Sequence, residues 1–287
     1  MIALSNQVYY VDEPFNPGRK HPDNPVDTWF LDPEFLEEKW QIKIKTWLDH
    51  VIYSPVSYFK YNIHHFLKRN RRQYLKYFFK NNSELIINTV KTFKRSSRPV
   101  LKDPIALFGL EWLESNYDAK IIVLIRHPAA FVSSTKIAGW DFGVPELKKQ
   151  PDLIDKYFTT FKNEIEEYTI RGKSLIENNI LAWNLFYTRV KQYMAKHKEW
   201  YFIKHEDLSL RPEIEFRKIY DFLNIPFTKS IQNKILKYSE GSGNDRIHRD
   251  SKRNILTWKN RLTPDEIAHI KRKTENVWKH YYGEQDW

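Results

Sequence analysis

The run Ile121-Ile122-Val123-Leu124-Ile125 does most to limit what this chain can fold into. Five apolar residues in a row, four of them β-branched, are too few for a helix. They predict a strand buried on both faces, the kind found in parallel sheets. Arg126 stands where the strand ends, and Pro128 suits the first position of a helix. Phe131, Val132, Ser133, Ser134, Thr135 and Ile137 continue that helix, with its hydroxyls expected on one side. Strand, arginine, turn and helix together make an anion site. The guanidinium is a fork of charged donors, the helix start adds partial positive charge, and the serines add hydroxyls. The plainer alternative is a solvated arginine at an ordinary strand-to-helix turn.

Further strands are predicted at Gln7 to Val11, Arg98 to Lys102 and Trp200 to Lys204. Helices are predicted at Ile105 to Asn116, Leu175 to Lys196, Pro212 to Leu223 and Lys229 to Tyr238, and the last opens on the capping box Thr263-Pro264-Asp265-Glu266, with Ile267, Ile270, Val277, Trp278 and Tyr281 on its apolar face. Strands alternating with helices give an α/β fold with a parallel sheet flanked by helices. The expected organisation is one domain over residues 1–287, with a helical insertion at 35–97 and a basic loop at 246–261. Ligands of open α/β sheets lie beyond the carboxyl ends of the strands. Glu13, in Asp12-Glu13-Pro14, and Lys102, in Lys102-Asp103-Pro104, occupy such ends. A loop carboxylate and a snorkelling surface lysine are the plain readings of the same residues. The Pro-, Asp- and Asn-rich stretch 19–35 reads as a loop over the site.

The formal charge of +11 calls for an anionic partner without choosing one. From His50 through Ser83 there is no acidic residue, and within 60–80 seven Lys and Arg alternate with six Tyr and Phe. That stretch reads as a helix with a solvated basic face, as an acceptor groove for an acidic glycan, or as a peripheral patch on anionic membrane. Nucleic acid is the less favoured partner. With no cysteine, disulfides and thiolate zinc sites are excluded. No run of about 18 apolar residues marks a membrane span, no basic leader is visible, and a cytoplasmic protein is expected. The ten His form no His-Glu-x-x-His pattern, so no metal is expected, and the missing Walker-type loop argues against a nucleotide kinase.

Arg126-x-Pro128, with Ser134 eight residues after the arginine, resembles the 3′-phosphate-binding motif of sulfotransferases that use 3′-phosphoadenosine 5′-phosphosulfate (PAPS). The resemblance implies a P-loop-like α/β fold, PAPS as donor, and Arg126 and Ser134 as ligands of its 3′-phosphate. Arg249, Ser251 and Lys252, ahead of Trp258, are similar to the late basic loop that closes over the cofactor. Glu13 matches the glutamate that acts as general base in sugar and tyrosine sulfotransferases. Lys102 matches the lysine that faces the sulfuryl group in the tyrosylprotein branch. His205-Glu206-Asp207-Leu208 resembles a Tyr-Glu-Asp-Leu segment and is read as structural. Trp183 falls where the family has a tryptophan near the cofactor, although core packing explains it as well.

One part of the family pattern is missing. The Pro-x-Ser-Gly-Thr loop that cradles the 5′-phosphosulfate has no counterpart; none of the 8 Gly lies in such a loop, and only twelve residues precede Glu13. The expectation is that the sequence begins inside the first helix, just after the missing loop, with a degenerate relative as the alternative; in either case it is expected to lack the first central strand and to be weakly stable and inactive as given. The expected activity is transfer of a sulfuryl group from PAPS to an acceptor hydroxyl, with a carbohydrate as acceptor. The alternatives are a non-catalytic basic module that binds nucleic acid or an anionic polymer, and a P-loop kinase relative that would prefer ATP.

Overall fold

The computed structural model describes residues 1–19, 21–68, 87–94, 97–142, 144–171, 174–239 and 251–287, with the backbone alone at 62–68, 145 and 169–171. It is an α/β structure of many helices and two small parallel sheets. The chain divides into two units, Met1–Ala119 and Lys120–Trp287.

In the first unit, β1 (Val8–Asp12) pairs in parallel with β2 (Arg98–Lys102), from Val8 opposite Arg98 to Asp12 opposite Lys102. The connection between them carries helices Glu38–Tyr53, Pro55–Lys68 and 87–92. Three tyrosine hydroxyls tie it to β1. Tyr9 donates to the Ile52 carbonyl at 2.7 Å, Tyr58 to that of Tyr10 at 2.6 Å, and Tyr61 to that of Asp12 at 2.6 Å. Each satisfies a backbone acceptor beside a strand that has few strand neighbours to do so. Val8, Val11, Phe15, Leu48, Val51, Ile52 and Phe108 are buried with them. The described residues of stretch 19–35 form a loop apart from single 3-10 turns at Pro17–Arg19 and Pro33–Phe35.

In the second unit, β3 (Ile122–Ile125) pairs in parallel with β4 (Tyr201–Lys204). Helix Pro128–Ala138 follows β3 with proline in its first turn, and ends on Gly139 in the left-handed region at φ 64. It packs on the long helix Leu175–Lys196, where Trp183, Leu185, Val190 and Tyr193 are buried. Ala129, Ala130, Val132, Ile180, Trp258, Leu262 and Ile270 form one core cluster.

Three expectations need correction here. β3 is not covered on both faces: Val123 and Ile125 are buried but Leu124 is 46% exposed, so its side chains alternate as they do on a half-covered strand. The hydroxyls of helix Pro128–Ala138 do not share a side, because three successive positions fan over about 200° of a helix. Ser133 and Thr135 are buried, the latter donating to the Phe131 and Val132 carbonyls, and Ser134 alone is half-exposed. The C-terminal helix begins at its capping box as expected but stops at Lys273; Val277 and Trp278 belong to a second short helix, Glu275–Trp278.

Candidate active site

Glu13 follows β1 directly. Its backbone continues the sheet, with its N–H donating to the Lys102 carbonyl at 3.0 Å, and then turns through a left-handed conformation at φ 50. A non-glycine residue there carries strain of about 1 kcal/mol or more. Several bonds hold it. Tyr61 Oη donates to the Glu13 carbonyl at 3.0 Å, as does the Asn16 N–H at 3.1 Å. Two residues on, the Phe15 N–H donates to Asp103 Oδ2 at 2.7 Å. Asp103 also caps the 3-10 helix Pro104–Gly109 by accepting from Ile105 at 3.0 Å and Ala106 at 3.3 Å. One buried carboxyl thereby fastens the exits of β1 and β2 together. Burial pushes its pKa up to about 7 against the pull of those N–H donors.

The result is that Glu13 and Lys102 meet. Lys102 Nζ bonds Glu13 Oε1 and lies 3.8 Å from Asp12 Oδ1, while Asn16 Nδ2 donates to Glu13 Oε2 at 2.8 Å. Asp12 is committed elsewhere: it pairs with the buried Arg19 and accepts from Tyr10 Oη at 2.6 Å. Arg19 in turn lies over the Tyr61 ring, 5.3 Å from its centroid. The Lys102 side chain is 53% exposed, so a bound molecule can reach the pair.

In the second unit Arg126 follows β3, and side chains fix its backbone. Its N–H donates to Tyr187 Oη at 2.8 Å, its carbonyl accepts from Trp183 Nε1 at 3.0 Å, and the next N–H, of His127, donates to Glu206 Oε1 at 3.1 Å. Tyr282 Oη donates to the other Glu206 oxygen at 2.9 Å. Glu206 is therefore an anchor for the turn, as its sequence context suggested, and Trp183 touches the turn rather than only the core. The guanidinium makes no hydrogen bond or ion pair among the described residues, and its Nε is buried without a partner. Burial pulls the Arg126 pKa down; Tyr187, Glu206 and Tyr282 offset this in part, and Arg261 adds to it. His205, held neutral by burial and by Arg126 with a pKa of about 4, is a further neighbour. A largely buried guanidinium without an acceptor, beside a second arginine and at the start of an eleven-residue helix, is suited to an anion.

Residues 17–229 match the model of the sulfotransferase family. The chain belongs to that family. The match covers Lys102, Arg126 and Ser134 and does not reach Glu13, Arg249, Ser251 or Lys252. No curated protein matches the chain. Family membership makes sulfuryl transfer the class of chemistry.

Ser134 sits in the second turn of helix Pro128–Ala138. Ser251 and Lys252 open the short helix Ser251–Asn254. The Ser251 hydroxyl lies 3.1 Å from the Ser209 carbonyl and 3.2 Å from that of Ser239, and Lys252 is exposed. Arg249 lies outside the described residues, as do Arg246 and most of the basic aromatic stretch at 60–80. No helix among the described residues is long and apolar enough to cross a membrane. Sequence reasoning passed over Asn16, Asp103, Tyr187 and Arg261. The Asn-Pro-Gly turn and the Asp-Pro helix start were readable signals for the first two. Nothing local marks Tyr187 or distinguishes Arg261 from its basic neighbours.

Proposed function

We propose that this sulfotransferase moves a sulfuryl group from PAPS to an acceptor hydroxyl, with a carbohydrate as the acceptor class. The observation that carries the reading is Arg126, largely buried with a guanidinium that bonds none of the described residues and a backbone held by Tyr187, Trp183 and Glu206. A fixed fork of this kind suits a phosphate monoester such as the donor's 3′-phosphate. Ser134, Arg249, Ser251 and Lys252 complete the donor-binding set in this reading. For Ser251 this requires its hydroxyl to leave the carbonyls it now serves.

Glu13 is the base. The acceptor oxygen attacks sulfur as its proton passes to a Glu13 carboxylate oxygen. The bond from sulfur to the bridging oxygen breaks, and adenosine 3′,5′-bisphosphate leaves with the electron pair. Lys102 turns from Glu13 to the sulfuryl and bridging oxygens and offsets the charge that grows there. No step calls on a metal. The 16% aromatic content and the basic insertion suit an acidic glycan acceptor.

The fold is read as P-loop-like, with the first central strand and its phosphosulfate loop not among residues 1–287. One observation favours this: each sheet among the described residues has two strands, so each strand is paired along one edge and has a second edge where a further parallel strand could pair.

The test is calorimetric binding of adenosine 3′,5′-bisphosphate, 5′-AMP and ATP to residues 1–287 and to a version extended upstream in the genome. A 3′-phosphate preference that falls at least tenfold in Arg126→Ala supports the reading. Equal, salt-dependent binding of all three by both versions refutes it and favours a basic module for anionic polymers. Preference for ATP favours a kinase relative.

A further inference from the structure

The Glu13 carboxylate is held at both oxygens, and only one of its partners has been given a role. Lys102 takes Oε1; Asn16 Nδ2 donates to Oε2 at 2.8 Å. Asn16 is itself anchored twice. Its Oδ1 accepts the Gly18 N–H at 2.8 Å, and its own N–H donates to the Glu13 carbonyl at 3.1 Å. Because Oδ1 is committed to a backbone donor, the amide can present only its NH2 to Glu13. Gly18 makes the close approach possible: a Cβ there would sit 3.0 Å from Asn16 Oδ1. The turn Glu13-Pro14-Phe15-Asn16-Pro17-Gly18 is thus built so that a side chain at its far end aims the carboxylate at its start. Two prolines and the Phe15 bond to Asp103 stiffen it.

We propose that Asn16 is the positioning residue for Glu13. This rests on the reading of Glu13 as the base. By occupying Oε2 with a donor that cannot take a proton, Asn16 leaves Oε1 as the oxygen that receives the acceptor's proton once Lys102 has turned to the sulfuryl group. It also restrains the rotation of a side chain that would otherwise move freely about its last torsion. The geometry bears on the chemical step, so the cost of losing it falls on kcat and not on binding.

Asn16→Asp separates this role from a structural one. Aspartate keeps an oxygen for the Gly18 N–H, so the turn persists, but it replaces the donor facing Oε2 with a like charge. Two measurements decide. The first is independent of any reaction: the side-chain amide of Asn16 in a 1H–15N spectrum. Its resonances shift in Glu13→Ala if the bond exists; unchanged resonances overturn the proposal. The second is steady-state transfer by Asn16→Asp in the version extended upstream, with slow exchange of the Gly18 amide confirming the turn. The expected result is a kcat lower by about 10- to 100-fold, the cost of misplacing a reacting group, with acceptor KM and the affinity for adenosine 3′,5′-bisphosphate within twofold. A kcat within twofold of wild type, or a matching loss of donor affinity, overturns positioning. An upstream-extended wild type that transfers no sulfuryl group while the Asn16 resonances do shift overturns the function reading and leaves the hold on Glu13 standing.

Discussion

Replacing Asp103 with Asn should change how stability depends on pH more than it changes stability at any one pH. The carboxyl is buried, accepts N–H bonds from Phe15, Ile105 and Ala106, and has its pKa pushed up by burial from 3.8 to about 7. Between those two values the native state holds a proton that the unfolded chain releases. The stabilisation is therefore complete below pH about 4 and is lost as pH rises through about 7. A gap of about three units corresponds to something on the order of 4 kcal/mol. Asp103→Asn removes this titration. The amide keeps Oδ1 for Ile105 and Ala106 but turns an NH2 toward the Phe15 N–H, so one buried donor loses its acceptor at a pH-independent cost of about 1–3 kcal/mol. Wild type should be the more stable at pH 4.5, and its advantage should shrink or reverse by pH 8.5. Urea unfolding in half-unit steps measures this, because contributions from distant titrating groups cancel in the difference. A difference that stays flat refutes the desolvation argument. A wild-type advantage that grows with pH would show that the three N–H donors outweigh burial.

His127 should give the opposite slope. It is 3% exposed, neither ring nitrogen has a partner among the described residues, it stacks on Trp258 at 5.1 Å, and burial pushes its pKa from 6.5 down to about 3. The stability tied to it is lost as pH falls from about 6.5 to 3, so His127→Phe should raise Tm relative to wild type at pH 5 more than at pH 8. Gly139→Ala should cost about 1 kcal/mol in urea unfolding; nothing lies within 4 Å of the added Cβ, so the cost is backbone strain at φ 64. Thr263→Ala should cost about 1 kcal/mol, because Thr263 Oγ1 and Glu266 form a reciprocal capping box at 3.2 and 2.9 Å. A change under about 0.3 kcal/mol would mean that this helix start is held by packing alone.

Elements were readable in the sequence wherever a local rule decides them. β2 runs from Arg98 to Lys102 and the long helix from Leu175 to Lys196, as expected from the sequence; in the helix the 3.6-residue spacing of apolar residues reports backbone preference directly. The half-exposure of β3 was not readable. An apolar run states what a strand tolerates, and the layers around it decide how much is covered. At the candidate site, Glu13 and Lys102 could be nominated from their places at strand ends. Their contact follows from parallel register and from a cap 90 residues downstream of Glu13's own position, at Asp103, which no window of sequence contains. Arg126 was legible as an arginine after a strand. That its guanidinium bonds none of the described residues depends on Glu206 being engaged by His127 and Tyr282, three segments brought together only by the fold.

The aromatic surplus has a use that neither sugar stacking nor core volume describes. A strand that ends in a small sheet leaves backbone donors and acceptors that no neighbouring strand satisfies. At β1 they are met by the hydroxyls of Tyr58 and Tyr61, and after β3 by Tyr187 Oη and Trp183 Nε1, with Tyr281 Oη donating to the Tyr187 carbonyl behind them. Each ring supplies apolar volume to the core and one polar atom at its edge. Charged side chains are then not needed to satisfy the backbone at these turns. Burial raises the pKa of Tyr58, Tyr61 and Tyr187, so each stays neutral across the working pH range. Neutral rings pin the turns without adding charge there. Phenylalanine would fill the same space and leave the carbonyls of Tyr10 and Asp12 and the Arg126 N–H without those partners. The preference for Tyr and Trp over Phe at these positions is therefore a requirement of the turns that carry the candidate site.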